Sequence, residues 1–118
     1  MVKGLLLTVA IAALVAVPAY AKSNAVTLTG EAGPGYTIEV KKAGNDLKTI
    51  KAGTYKIKVE DKSSIHNFHL FGPGLNKKTT VPFKGDTTWT IKLKPGRYTY
   101  QCDVHASVGM KGHFKVTA

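Results

Sequence analysis

From Val26 onward, apolar and polar residues alternate with a period of two, and turn residues interrupt the alternation at short intervals. That period puts successive side chains on opposite faces of an extended chain, so such a segment buries its apolar half as a strand in a sheet. Tyr55, Ile57 and Val59 fall on one face of Thr54–Glu60, with Lys56 and Lys58 on the other. Trp89, Ile91 and Leu93 repeat the pattern over Thr87–Leu93, and Tyr98, Tyr100 and Cys102 share a face beyond the turn Lys94–Arg97. Further strands are expected over Val26–Gly30, Tyr36–Val40, Leu47–Ile50, Ile65–Phe71 and Lys111–Thr117, the last with Phe114 and Val116 inward. Gly33–Gly35, Lys41–Asp46 and Gly72–Gly74 read as turns, Asp61–Ser64 as a polar loop. Lys77–Val81 reads as extended, with Pro82 restricting it to a sheet edge. No helical period outlasts one turn. Seven or eight strands at about eight- to twelve-residue spacing predict an all-β fold, a Greek-key β-sandwich built as one domain.

The first 21 residues stand apart. Lys3 gives a positive start, Leu5–Val17 is apolar except for Thr8, and Ala19 and Ala21 flank Tyr20 as a small-x-small cleavage site. This is the pattern of a secretory signal peptide over 1–21, its apolar run too short for a comfortable membrane span. An uncleaved N-terminal anchor is the alternative. Residues 22–118 then form the domain, exported to the periplasm or the extracellular space.

Export bears on Cys102, the only cysteine. An oxidising compartment favours disulfides, yet a lone thiol has no partner within the chain, so it is buried and inert, exposed and reactive, paired with another chain, or bound to something. Two neighbours favour the last. His105 and Met110 lie within nine residues of chain that begin at Cys102, bringing a thiolate, an imidazole and a thioether together. A trigonal set of two histidines and one cysteine with a long, weak axial methionine is the geometry of blue copper. The second histidine is offered by Ile65–His69, which contains His66 and His69. Three residues apart on a strand, the two face opposite sides. His66 is favoured because Asn67 follows it, placed to hydrogen-bond the loop near Cys102, which leaves His69 at the surface or rim. Gly109 and Gly112 are expected to give that loop backbone freedom. His113, beside Phe114 in an alternating strand, reads as solvent-facing. Met110 as core packing is the alternative to an axial ligand, and Trp89, Tyr98 and Tyr100 read as core aromatics.

Cys102, His105 and Met110 at this spacing, with Tyr100 before them and Gly112 after, resemble the ligand loop of plastocyanin. His66, Asn67 and His69 resemble the first-histidine strand of plastocyanin and, with the second histidine, of amicyanin. The resemblance spans the domain in strand order. It implies an eight-stranded cupredoxin sandwich and a one-electron carrier that holds one copper per chain through His66, Cys102, His105 and Met110, cycling between Cu(II) and Cu(I). It also implies that the His105 imidazole edge lies near the surface and serves as the electron port. Asp103 and Val104 depart from the small-Pro pair common in plastocyanin, which bears on the hydrogen bonding around the Cys102 sulfur and so on the potential.

Charge separates the chain further from many plastocyanins, which present acidic patches. It carries 17 Lys and Arg against 7 acids, a net charge of +10. Scattered lysines make a soluble surface, or steer the protein toward redox partners with acidic docking surfaces. Nucleic acid is a poor fit to an exported chain without an aromatic-basic recognition motif. A monomer without stable membrane insertion is expected. A copper-binding or delivery protein using the same ligands is the competing function. An enzyme with Cys102 and His105 as nucleophile and base fits worse, since no third orienting group is evident and an exported thiolate would oxidise. Zinc fits worse too, because methionine is a poor zinc ligand and two histidines with one thiolate leave its set incomplete.

Overall fold

A computed structural model describes residues 26–118, and the expected signal peptide over 1–21 lies outside the described residues. Among the described residues, ten short strands form two five-stranded sheets. They are β1 (Thr27–Ala32), β2 (Ile38–Lys42), β3 (Asn45–Asp46), β4 (Thr49–Lys51), β5 (Gly53–Asp61), β6 (His69–Gly72), β7 (Leu75–Lys78), β8 (Gly85–Leu93), β9 (Gly96–Gln101) and β10 (Lys111–Thr117). The first sheet runs β3-β2-β1-β5-β8 and the second β4-β10-β9-β6-β7, so the chain crosses between layers repeatedly, as the expected all-β sandwich requires. The count exceeds the expected seven or eight because β3, two residues long, closes a hairpin inside what reads as a turn, and because Leu75–Lys78 pairs with β6.

The alternation seen in sequence is the burial pattern. Leu28, Val40, Ile57, Val59, Ile91 and Leu93 of the first sheet meet Ile50, Leu70, Tyr98, Phe114 and Val116 of the second in one buried layer. Lysines, threonines and acids fill the alternate, outward positions of the same strands, the usual arrangement of sheets wetted on one face. β1 and β5 run parallel, and β10 runs antiparallel to β9. These directions gather the connections 33–37, 62–68, 79–84 and 102–110 at one end of the sandwich.

Three expected strands begin later in the structure, among them Leu47–Ile50, which starts at Thr49. Ile65–Phe71 becomes strand only at His69. The Asp61 carboxylate accepts from the Ser63 N–H (3.1 Å), the Ser63 hydroxyl oxygen from the Ile65 N–H (3.3 Å), and the Ser63 carbonyl from the His66 N–H (3.3 Å). Side-chain acceptors take the backbone donors that a sheet ladder would otherwise use, and the segment turns. Phe68, fully buried, drops from this loop into the core. Its ring lies on Gly30, where a Cβ would meet it at 2.5 Å. Likewise Tyr36, expected in a strand, sits in the turn before β2, a turn closed by the Gly33 N–H donating to the Thr37 carbonyl at 2.8 Å.

Candidate metal centre

His66 comes from the 62–68 loop, which crosses between the sheets, and Cys102, His105 and Met110 from the loop that joins β9 to β10, so a crossing and a hairpin meet at one end of the sandwich. The histidine loop is fastened by Thr79. Its hydroxyl oxygen accepts from the Phe68 N–H (2.9 Å), its own N–H donates to the Phe68 carbonyl (2.9 Å), and its carbonyl accepts from Asn67 Nδ2 (3.3 Å). The second loop closes on itself. The Cys102 N–H donates to the Met110 carbonyl (3.0 Å), while the His105 carbonyl accepts from the N–H groups of Val108 (3.0 Å) and Met110 (3.2 Å). A single 3₁₀ turn, Ala106–Val108, ends at Gly109, whose φ of 104° lies in the region that favours glycine. Gly112 has a different role from the expected backbone freedom. A Cβ there would lie 2.4 Å from the Tyr100 ring, so its use is close approach.

Asn67 joins the two loops as expected. Its Oδ1 accepts from the Asp103 N–H at 2.8 Å, and its Nδ2 donates to Asp103 Oδ2 at 3.0 Å. Asp103 also receives Gln101 Nε2 (3.0 Å) and faces His69 Nδ1 at 2.8 Å. Burial works against its charge, but the hydrogen bonds from Gln101, His69 and Asn67 and the His69 charge outweigh it and hold the carboxyl at about 2. His69 is thus a rim residue tied on its other side to Asn76 (2.6 Å), and it stays out of the donor cluster. His113 is exposed, as expected.

Three donor atoms converge. His66 Nδ1 and His105 Nδ1 lie 3.0 Å apart, and Cys102 Sγ lies 3.8 Å from the first and 3.5 Å from the second. Cys102 and His66 are fully buried, and His105 is half-buried. A trigonal ion with nitrogen at about 2.0 Å and thiolate sulfur at about 2.3 Å sets edges of about 3.5 to 3.7 Å, close to this triangle. The other ring nitrogen of His66 is buried without a partner among the described residues, so the imidazole's one engaged nitrogen faces the cluster. No further histidine, cysteine or carboxylate joins these three among the described residues. A closed zinc set is therefore incomplete. Met110, fully buried and hydrogen-bonded through its backbone to Cys102 and His105, adds the only thioether on the loop. A thiolate with a thioether is a soft donor set of the kind that takes copper.

Tyr36 was not legible as part of the site. Its ring stands edge-on to both imidazoles, with centroids 5.4 Å from His66 and 4.9 Å from His105, yet it is 62% exposed. Gly33 opens the same turn, where a Cβ would come within 3.2 Å of the His66 ring. The Gly33-Pro34-Gly35 run before Tyr36 was the available signal, since a tight turn can return an aromatic side chain onto a neighbouring loop. Ile65, Val104 and Val108, chain neighbours of the two histidines, are exposed and apolar.

Residues 14–117 match the sequence profile of copper binding proteins, plastocyanin/azurin family. No curated protein sequence matches the chain significantly. Among solved structures it is similar to reduced rusticyanin, at 26% identity and a TM-score of 0.59 over 77% of this chain and 78% of that one. Rusticyanin from Thiobacillus ferrooxidans, at 22% identity and a TM-score of 0.51 over 77% of this chain and 76% of that one, is similar in fold. So is reduced auracyanin from the photosynthetic bacterium Roseiflexus castenholzii, at 19% identity and a TM-score of 0.53 over 79% and 98%. With a cupredoxin sandwich, a buried donor set that fits copper and a profile match over nearly its whole length, the chain belongs to the plastocyanin/azurin family of copper-binding proteins.

Proposed function

We propose that this protein is an exported one-electron carrier that holds a single copper through His66, Cys102 and His105, with Met110 as the weak axial ligand. The carrying observation is the preformed triangle of donor atoms, 3.0 to 3.8 Å on a side. When bound, copper supplies reversible Cu(II)/Cu(I) exchange at a thiolate. The chain's contribution is to keep the donors still. The Asn67 and Thr79 bonds fix the His66 loop against the Cys102 loop, and the internal bonds from Cys102 to Met110 leave the second loop little room to adjust. Little reorganisation between oxidation states favours electron transfer.

His105 is the one donor residue with partial exposure, and exposed apolar side chains adjoin it, which supports its imidazole edge as the electron port. The buried cluster offers a substrate no direct access, which supports a carrier over an enzyme. Export to the periplasm or extracellular space rests on the leader pattern of residues 1–21. No described helix is long and apolar enough to cross a membrane. The partners are redox proteins with acidic docking surfaces, and the protein works as a monomer.

A visible titration of residues 22–118 with Cu(II) tests the reading. An intense blue band saturating at one copper per chain, bleached by ascorbate and restored by ferricyanide, is expected. Cys102→Ser removes the sulfur-to-copper charge transfer and with it the band; a band retained in that variant overturns the assignment.

A further inference from the structure

The two sheets differ sharply in outward charge. On the first, the outward positions carry Lys41, Lys56, Lys58 and Lys92 and also Glu39, Glu31, Glu60 and Asp86, which form one row across β2, β1, β5 and β8. Most of these are paired locally: Lys41 to Glu39 at 3.0 Å, Lys58 to Glu60 at 3.3 Å and to Asp86 at 3.6 Å, with Lys62 reaching Glu31 at 3.0 Å. That face is close to neutral.

The Lys and Arg residues of the second sheet's outward face stand there without acids. Lys51, Lys78, Arg97, Lys111 and Lys115 occupy its outward positions, all exposed, and no acid stands on its strands there. None of the five is ion-paired among the described residues. His113 lies between Lys111 and Lys115, and burial, then the charges of Arg97 and Lys111, lower its proton affinity. An open groove of about 370 Å³ on this side is lined by Lys48, Arg97, His113 and Lys115 together with Gly96 and Phe114, and so by cations without an acid. The row of the sheet nearest the metal centre runs Lys78, His69, Gln101 and Lys111, with Cys102 next to Gln101 in the chain; the one carboxylate there, Asp103 of the loop beyond, is taken up by His69 and Gln101.

We propose that the outward face of the second sheet is the docking surface for the acidic face of a redox partner protein. The inference rests on the electron-carrier reading. Charge complementarity selects an acidic surface, because five unpaired cations on one face create a field that the balanced first sheet does not. A protein fits better than a lipid surface. Binding to anionic membranes combines basic charge with inserted apolar side chains, and of the large exposed apolar residues, Tyr36, Ile65, Val104 and Val108 are in the loops at the metal end and Val26 precedes β1 of the first sheet, so none is on this face.

The test uses two double charge reversals that change net charge equally, Arg97→Glu with Lys115→Glu and Lys56→Glu with Lys92→Glu. Binding of the copper-loaded proteins to an acidic c-type cytochrome is measured at low ionic strength. The second-sheet pair is expected to raise Kd by about ten-fold or more, and the first-sheet pair by less than about three-fold. Equal weakening by both pairs, which net charge alone predicts, overturns the proposal, as does no weakening by either. Vesicles containing phosphatidylglycerol are titrated in parallel. Binding there that depends on Arg97 and Lys115, without binding to the cytochrome, makes the face a membrane site and also overturns it. The blue band and copper stoichiometry of each variant are read separately, so a failure of the carrier reading shows there and not as a docking result.

Discussion

Asn67→Ala removes the side chain that ties the histidine loop to the backbone of the cysteine loop. Three hydrogen bonds go with it: the Asp103 N–H to Oδ1 at 2.8 Å, Nδ2 to Asp103 Oδ2 at 3.0 Å and Nδ2 to the Thr79 carbonyl at 3.3 Å. Asn67 is only 3% exposed, so the Thr79 carbonyl loses a partner away from water. Two neutral bonds at about 1 kcal/mol each and one to a carboxylate at about 1.5 kcal/mol sum to about 3.5 kcal/mol, some of which water returns at the Asp103 rim. For a domain of this size that is a fall in Tm of more than about 10 °C. The copper-free protein is the proper sample, because the metal itself would bridge the loops. In the loaded protein the same change costs affinity, about 10- to 100-fold, since the donors must be brought together at binding. Urea denaturation of the apo protein and competition for Cu(I) against a chelator measure the two effects. A loss below about 1 kcal/mol in the apo protein, or an unchanged copper affinity, refutes the view that Asn67 preforms the site.

Asp103 gives the fold a pH signature. Its carboxyl is held at about 2 against an ordinary 3.8, so between those values the unfolded chain binds more protons than the folded one. Its contribution to stability is present above about 4 and fades as pH falls toward 2. The stability gap between wild type and Asp103→Asn, followed by urea denaturation of apo protein, is expected to close over that window; a pH-independent gap counts against it. Asp61 acts in the opposite sense, because burial raises its carboxyl and favours the protonated form. At the far end of the sandwich, a Cβ on Gly72 would lie 2.5 Å from the ring of Tyr98, a fully buried residue whose hydroxyl donates to the Pro73 carbonyl and accepts from the Lys94 N–H. Gly72→Ala therefore lowers stability by about 1 to 3 kcal/mol through overpacking. The blue band stays unchanged, and an altered band would mean that the two ends are coupled.

The strand positions and their faces were readable because period-two alternation is a local property that burial enforces residue by residue. Thr54–Glu60 and Thr87–Leu93 show it plainly. Cys102, His105 and the proposed axial ligand Met110 were readable for the same reason, since one short segment carries all three. Ile65–Phe71 misled because its apolar residues signal burial but not the way in which it is reached. Phe68 enters the core from a loop, and the turn that allows this depends on Asp61 and Ser63 side chains accepting backbone N–H groups. β3 escaped notice because two residues carry too little pattern, while the extended edge segment expected over Lys77–Val81 lies a few residues earlier, as the edge strand β7.

What the sequence by itself determined was the class of fold, the choice of metal and a net charge of +10, because each depends on residue identity and short spacing. Tertiary structure decided the rest. It set Tyr36 against two imidazoles that are distant in sequence from it and from each other. It turned His69 outward onto Asp103 while His66 faced Cys102. It also sorted scattered lysines into one neutral sheet face and one cationic one. Those outcomes depend on which strands become neighbours, and that is settled by the packing of the whole core and not by any segment alone.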